Sequence, residues 1–350
     1  MTLELTYERC VRTRSVAAQC RACVDACPTG AITLGGPRRS VEVALEDCVG
    51  CAVCQAACPT DAFHGAFDVP AFAAARPRVV ACGEAGLPCV GALSSEELLT
   101  LALGAGGLVV TARDCVAGAA GHERARLVVE KARVFARAVG AEVALTWRDE
   151  TSPQAAPVKP RQSRPVSAGR RQLLGLLVPR PVPPRLTSPQ RLDVTAIRDV
   201  SPTVRRQRLL AAMPQVPRPQ AASLPAESVG CSSSKEIDAA ACTACMLCVT
   251  SCPTGALQAP RLHQEIRFEA RRCVNCGLCN DVCEAKAIKS APELNVAEFL
   301  APTPKVLVGF KMAQCGECGA PVRAEGGGEE VRCEACKSQH AEARSLWGHE

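Results

Sequence analysis

Cysteines recur along this chain of 350 residues with the fixed spacing C-x2-C-x2-C-x3-C. The full run occurs three times, at 48–58, 242–252 and 273–283. A fourth run is altered, because Cys20, Cys23 and Cys27 keep the spacing while Ala17 stands at its first position. The last cysteines of the runs open the hexapeptides CPTGAI, CPTDAF, CPTGAL and CEAKAI, which form two pairs with 31 residues between the members. We therefore expect the same small structural unit to occur twice, once near each end of the chain.

This spacing is typical of bacterial [4Fe–4S] sites, in which the fourth cysteine of each run binds the cluster of the other run. Three cysteines three residues apart let one curled loop aim three thiolates at a cubane. In the second unit we expect two clusters, whose ligands are Cys242, Cys245, Cys248 and Cys283 for one and Cys252, Cys273, Cys276 and Cys279 for the other. Eight cysteines in this doubled register favour clusters over a zinc site or disulfides.

In the first unit the altered run leaves one ligand open. One cluster is expected at Cys27, Cys48, Cys51 and Cys54. The other is expected at Cys20, Cys23 and Cys58, with Cys10 in place of the missing leading cysteine. If Cys10 does not reach, this second centre is a three-iron cluster or is absent.

Through these runs and the CPTGA hexapeptides, residues 1–68 and 238–292 resemble the two-cluster bacterial ferredoxin family. The resemblance implies a βαββαβ fold in each unit and one-electron transfer as the activity. The departures at Ala17 and Glu284 concern only the ends of two runs.

Four further cysteines, Cys315, Cys318, Cys333 and Cys336, have the spacing C-x2-C-x14-C-x2-C around a Gly326–Gly328 turn. Two such pairs offer four thiolates to one tetrahedral ion and predict a zinc ribbon at 305–345. A rubredoxin-type iron fits the same ligands, but Lys337 follows Cys336 where glycine is expected, so zinc is preferred.

Residues 77–150 alternate between strand and helix patterns. Strands are predicted at 78–81, 108–111 and 142–147, and helices at 95–103 and 123–139. Ser94 and Glu97 have capping-box spacing, and glycines at 104–107 and 140 give stop signals. We expect a small α/β domain.

This segment is similar to the delta subunit of methyl-viologen-reducing hydrogenase, which implies a [2Fe–2S] cluster and electron exchange with a hydrogenase and a heterodisulfide reductase. Only Cys82, Cys89 and Cys115 are available to such a cluster. A docking domain with free buried thiols is the alternative.

Residues 151–228 hold 14 of the 26 prolines and no cysteine, with 13 Lys and Arg against 3 Asp and Glu. An extended basic linker is predicted, with short helices at 169–177 and 203–213. Arg205 with Arg206, and Glu96 with Glu97, are interpreted as solvated helix faces. The whole chain is then α+β, with two ferredoxin-like units flanking the α/β domain and the linker, followed by the zinc ribbon.

The composition excludes several other classes. Residues 1–10 carry no apolar signal segment and no apolar run spans a bilayer, so a reducing cytoplasmic location is expected. The five histidines are scattered, and no catalytic triad or phosphate loop is visible, so neither a small-molecule substrate nor nucleic acid is expected. The leading hypothesis is an electron carrier with four [4Fe–4S] clusters and one zinc, whose partners are dehydrogenase, hydrogenase or reductase subunits. The alternative is an assembly or redox-regulatory factor.

Overall fold

The computed structural model describes residues 3–35, 40–150, 185–186, 193, 195, 197, 200–213, 223–260, 264–323 and 331–347. The helix predicted at 169–177 and the Gly326–Gly328 turn lie outside these residues. No helix in the described ranges is long and apolar enough to cross a membrane.

Residues 3–64 form the first unit with the element order βαββαβ. Strand β1 pairs antiparallel with β4, and β2 pairs antiparallel with β3. A short additional helix, α1, lies between β1 and α2. The elements are β1 (Glu4–Leu5), α1 (Val11–Arg14), α2 (Ala22–Ala26), β2 (Ile32–Gly35), β3 (Ser40–Ala44), α3 (Val53–Ala57) and β4 (Phe63–His64). Helix α4 (Val69–Ala74) follows and begins at Asp68, whose carboxylate accepts a hydrogen bond from the Ala71 N–H.

The α/β domain has a parallel sheet in the order β5-β6-β7, as its predicted strands require. Its elements are β5 (Val79–Ala81), α5 (Ser95–Ala105), β6 (Leu108–Ala112), α6 (Gly118–Val139) and β7 (Leu145–Asp149). The capping box of Ser94 and Glu97 is present, and left-handed Gly106 and Gly140 end the two helices. The structure has a strand or a helix at each predicted place, but α6 begins before the predicted residue 123 and β7 extends beyond the predicted residue 147.

The second unit repeats the βαββαβ order of the first. Its outer strands, β10 and β13, pair antiparallel, and β11 pairs with β12. The six elements are β10 (Lys235–Ile237), α9 (Leu247–Thr250), β11 (Leu257–Gln258), β12 (Glu265–Phe268), α10 (Leu278–Val282) and β13 (Ile288–Ser290). The order expected from the family resemblance is thus confirmed in both units.

The described part of the predicted linker is packed, unlike the extended chain expected there. Helix α7 (Val204–Ala212) forms where a short helix was predicted, and Leu209 is fully buried. Other elements of this region are β8 (Arg185–Leu186), which pairs with β3, β9 (Ser223–Pro225) and α8 (Ala226–Val229). Residues 200–213 and 223–228 therefore contribute to the core.

After the second unit the chain continues through elements that attach to it. Strand β9 pairs with β14, and β15 extends the β11–β12 hairpin into a third strand. These elements are β14 (Glu293–Asn295), α11 (Val296–Leu300) and β15 (Lys305–Gly309). Phe299 on α11 makes an edge-to-face contact with Phe135 on α6, with ring centroids 5.1 Å apart. This contact joins the second unit to the α/β domain.

The C-terminal segment differs in part from the predicted zinc ribbon. Strands β16 (Met312–Gln314) and β17 (Pro321–Arg323) form one antiparallel hairpin that carries the first cysteine pair. The second pair lies at the start of α12 (Glu334–Trp347). Where a ribbon has a second hairpin, this chain has a helix.

Candidate metal centres

The fifteen cysteines of the four runs, together with Cys10, make up the four sets expected from their spacing. We call these sets sites I–IV. Site I is Cys27, Cys48, Cys51 and Cys54; site II is Cys10, Cys20, Cys23 and Cys58; site III is Cys252, Cys273, Cys276 and Cys279; site IV is Cys242, Cys245, Cys248 and Cys283.

All four cysteines of each of the first three sites line one cavity. The cavities hold about 370 Å³ of atom-free space at site I, 340 Å³ at site II and 340 Å³ at site III. Near-equal cavities with four thiols on their walls fit the same inserted group, a cubane [4Fe–4S] cluster.

Site II shows how the altered run is completed. Cys10 lies just before α1 and faces the same cavity as Cys20, Cys23 and Cys58. Ala17 packs elsewhere, among apolar side chains of the second unit. The structure therefore brings Cys10 to the position that the spacing leaves empty.

Site IV is recognised by the charges that its cysteines exert on one another. Burial, the charge of Cys279 of site III and the charges of Cys242, Cys245 and Cys283 together raise the pKa of Cys248 to about 12. Sites III and IV are therefore neighbours within the second unit.

The three intact runs share an unusual backbone conformation. In each run the residues immediately before and after the second cysteine are left-handed, with φ of 69° and 58° at Gly50 and Ala52, 56° and 60° at Ala244 and Met246, and 52° and 77° at Asn275 and Gly277. Left-handed backbone costs about 1–2 kcal/mol at a residue with a side chain. In the altered run, Arg21 has φ of −130° instead.

This curled backbone turns N–H groups toward the sulfurs. The Asn275 N–H donates to Cys273 Sγ at 3.5 Å, and the Ala244 N–H donates to Cys242. Such donors stabilise a thiolate, so the strained loops serve negatively charged sulfur.

A threonine hydroxyl lies against the fourth cysteine in three of the runs. The Thr29, Thr60 and Thr254 Oγ1 atoms lie 3.7, 3.7 and 3.8 Å from the Sγ of Cys27, Cys58 and Cys252. When the sulfur is a thiolate, the hydroxyl is the donor. In the run at 273–283, Ala285 takes the position of this threonine.

Burial raises the pKa of the thiols in these sites. It takes the pKa of Cys10 and Cys51 to about 11 and that of Cys23 to about 12. The buried thiols therefore keep their protons at neutral pH until a cation replaces them. Sets of four thiolates suit iron in iron–sulfur clusters.

Two family models, each described as a 4Fe-4S dicluster domain, match residues 18–62 and 241–288. The chain carries two 4Fe-4S dicluster domains. These domains give it a capacity for iron–sulfur electron transfer, as the cysteine runs predicted. The first match begins after Cys10, which it therefore does not include. No curated protein and no solved structure gave a significant match to the chain.

The two dicluster domains touch through their inner sites. Cys20 of site II and Cys276 of site III join one apolar cluster, built on Val11, Leu278 and Val282. Beside it, the Gln19 N–H donates to Asp281 Oδ2 at 2.8 Å. Sites II and III thus face each other across the domain boundary.

Helix α7 places two arginines at this boundary. The Arg205 guanidinium donates to the Ala56 carbonyl at 2.9 Å and to that of Cys58, a site II cysteine. Arg206 donates to the carbonyl of Cys273, a site III cysteine, at 2.7 Å. Each arginine therefore holds a different dicluster domain.

Glu96 of the α/β domain pairs with both arginines, and the interpretation of these residues as solvated faces is wrong. The exposed fractions are 6 % for Arg205, 0 % for Arg206 and 3 % for Glu96. A signal was present in the sequence, because Arg205, Leu209 and Met213 follow one another at intervals of four on one helix face. The many prolines and basic residues around this pattern favoured the prediction of an exposed linker instead.

Cys315, Cys318, Cys333 and Cys336 form the C-terminal four-cysteine site. Their sulfurs all lie within 4.8 Å of one another, which fits one metal ion. The Cys333 N–H donates to Cys315 Sγ and the Cys336 N–H to Cys333 Sγ, at 3.3 and 3.4 Å. This segment also reaches site IV, because Arg323 donates to the Cys242 carbonyl at 2.7 Å.

Cys82, Cys89 and Cys115 form the three-cysteine site, with their sulfurs also within 4.8 Å of one another. In the part of the chain described, no fourth cysteine, histidine or carboxylate joins this group. A [2Fe–2S] cluster takes four cysteines, one more than the site offers. The remaining cysteine, Cys231, lies at the domain boundary, where its carbonyl accepts a hydrogen bond from Arg206 at 2.6 Å.

Proposed function

We propose that the chain relays single electrons through four [4Fe–4S] clusters, bound at sites I, II, III and IV in that order. The observation that carries this proposal is that Cys20 and Cys276, which belong to different dicluster domains, pack against the same small apolar cluster. Electron transfer slows steeply with distance, so a contact between inner sites favours passage from one domain to the other.

When bound, each cluster takes up and gives back one electron at a time. The chain supplies the thiolates, with Cys10 as the fourth ligand of site II. Backbone N–H groups and threonine hydroxyls offset the negative charge that grows on the sulfurs during reduction. Val11, Leu278 and Val282 form the apolar cluster against which one cysteine of each inner site packs.

The outer sites are where redox partners would dock. At site I, Val49 is 37 % exposed, and at site IV, Leu247 is 45 % exposed beside the exposed Cys245. A low-potential donor at one end and an oxidoreductase subunit at the other would each find a partly uncovered site. Dehydrogenase, hydrogenase or reductase subunits in the reducing cytoplasm are the partners we propose.

The C-terminal four-cysteine site is proposed to hold one structural zinc ion. Four thiolates around one ion form a closed site with no position for a substrate. Because Arg323 reaches the carbonyl of Cys242, the ion would fix the hairpin that covers part of site IV. We propose domain limits of 1–68, 77–150, 238–292 and 305–345.

The test combines metal content with EPR on anaerobically purified chain. Four cubane clusters require about sixteen iron and sixteen sulfide per chain. Replacing Cys20 and Cys23 by serine should remove about four iron and narrow the reduced site III signal, because its magnetic neighbour is lost. Cys231→Ser, the matched control, should change neither quantity.

Three results would count against the relay. A site III signal that is identical with and without site II would show that the domains are not coupled. Reduction by dithionite over minutes rather than seconds, with partner binding that depends on redox state, would favour the regulatory alternative. Zinc with little iron or sulfide would exclude electron transfer altogether.

A further inference from the structure

We propose that Cys82, Cys89 and Cys115 bind one zinc-type divalent ion through three thiolates, at a site separate from the four clusters. Zinc sites with three protein ligands keep a fourth position for a small ligand such as water. The site lies in the α/β domain and is not part of the electron relay.

The spacing of the sulfurs favours one ion over a two-iron cluster. Two thiolates on a tetrahedral ion, with metal–sulfur bonds of about 2.3 Å, lie about 3.8 Å apart. The three sulfurs are all within 4.8 Å of one another, as are those of the C-terminal four-cysteine site. A two-iron cluster needs a fourth thiolate and separates those bound to different irons.

The fold brings the three cysteines together at one edge of the sheet. Cys82 directly follows β5, and Cys115 follows β6, so both lie at the carboxyl ends of neighbouring parallel strands. Cys89 enters from the loop between β5 and α5, at the start of the 3-10 turn Val90–Ala92. Distant parts of the sequence therefore converge on one point.

Each sulfur accepts a backbone hydrogen bond. The Val90 N–H donates to Cys82 Sγ and the Gly91 N–H to Cys89 Sγ, both at 3.3 Å, and the Ala117 N–H donates to Cys115. Three sulfurs with N–H donors form a site built for thiolates, the form that binds metal.

Gly121 lets α6 approach the sulfurs closely. A Cβ atom at this position would lie 3.2 Å from Cys89 Sγ and 3.9 Å from Cys115 Sγ. Cys82 and Cys89 are buried and Cys115 is half-buried, so protein encloses most of the site and the side of Cys115 is partly open.

The nearby charge matches the proposed ion. Three thiolates and one divalent cation leave a net charge of −1, which a buried site must compensate. Burial and the charge of Arg205 lower the pKa of Arg124, and the charges of Cys89, Cys54 and Cys51 act in the opposite direction. The Arg124 guanidinium is therefore near enough to interact with cysteines of both the three-cysteine site and site I, and its Nε has no hydrogen-bond partner.

The position of the site indicates what the ion does. A Cβ atom at Gly91 would lie 3.4 Å from both Cys89 Sγ and Val53 Cγ2. Val53 begins α3, which carries Cys54 of site I. The ion would hold the surface on which α3 packs, and so would fasten the α/β domain to the first dicluster domain.

The experiment counts zinc and iron on the same anaerobic sample and records X-ray absorption at the zinc edge. The unaltered chain should hold two zinc. The Cys318→Ser/Cys336→Ser variant should keep one, with about three sulfur neighbours near 2.3 Å. Adding Cys115→Ser should remove this zinc, whereas adding Cys231→Ser should not.

Several outcomes would overturn the proposal. No zinc in the Cys318→Ser/Cys336→Ser variant would mean free thiols, and a disulfide among the three cysteines in alkylated, denatured protein would mean a redox pair. About two extra iron and two extra sulfide, lost with Cys115→Ser, would mean a [2Fe–2S] cluster. Failure of the cluster relay is seen separately, because it lowers the iron count and leaves this zinc in place.

Discussion

Arg206 Nε donates a hydrogen bond of 2.5 Å to Glu96 Oε1, and both side chains are buried. This ion pair fixes α7 to the α/β domain, while Nη1 of Arg206 donates to the carbonyls of Arg271 and Cys273 in the second dicluster domain. Since Arg205 extends to the first dicluster domain, one carboxylate sits where all three domains meet.

Arg206→Met should strongly destabilise the chain. The substitution leaves Glu96 buried without its closest cation, a loss that costs about 3–5 kcal/mol in buried pairs. It should also make the reduction potential of site III more negative, because the positive guanidinium that donates to the Cys273 carbonyl is lost. Urea unfolding and EPR-monitored redox titration measure the two effects.

The matched control is Arg208→Met, which removes the same charge from a half-buried position of α7. An Arg206→Met variant as stable as Arg208→Met would contradict the role assigned to the buried pair.

Thr29→Val should lower the reduction potential of site I. The valine keeps the shape of the side chain and removes the hydroxyl 3.7 Å from Cys27 Sγ. A hydrogen bond worth about 0.5–1.5 kcal/mol corresponds to about 20–65 mV for one electron. Thr33→Val, an exposed threonine of β2, is the control. Equal potentials in the two variants would show that the hydroxyl does not act on the sulfur.

Gly277→Ala should weaken the loop around site III through its backbone alone. Gly277 has φ of 77°, and a Cβ there would meet no atom within 4 Å, so no clash contributes. We expect a loss of about 1–2 kcal/mol, measured by thermal unfolding of the iron-loaded chain. In Gly309→Ala, where the backbone is not left-handed and the nearest atom is 3.9 Å away, stability should stay unchanged. A neutral Gly277→Ala would mean that this backbone conformation is relaxed in solution.

Removal of metal from the C-terminal four-cysteine site should unfold α12 and leave the iron in place. Cys318 is exposed, so a chelator can reach this site before the buried sulfurs of site III. The expected result is a loss of helical circular dichroism and rapid proteolysis after residue 310, with iron and sulfide constant. The Cys318→Ser variant should behave like the chelated protein. A helix that persists without metal would show that its own packing is sufficient.

Local spacing predicted the cysteine sets, since C-x2-C-x2-C depends on the reach of one loop. In sites I–III the structure places each set on one cavity, and the clusters themselves stay a prediction. It also indicated Cys10, because no other cysteine lies near the start of the altered run. Alternating patterns at 77–150 gave the strands and helices of the α/β domain, whose capping and stop signals are local.

The arrangement of the domains could not be read in this way. The apolar cluster against which Cys20 and Cys276 pack joins residues more than 250 positions apart, and no local pattern encodes it. The burial of Arg205 and Arg206 depends on partners from three other segments, whereas proline content describes only their own. The helix after Cys333 forms in place of a second hairpin, which the cysteine spacing does not distinguish.

Neighbouring residues of an α-helix point about 100° apart around its axis. Because of that angle, Arg205 and Arg206 point to different sides of α7, and each donates hydrogen bonds to a different dicluster domain. A single residue inserted or deleted between Val204 and Leu209 would swing at least one guanidinium, or the buried Leu209, out of its place. The angle between two successive residues of α7 thus sets how the two dicluster domains are oriented. A change in the length of this helix segment would change the interface between them.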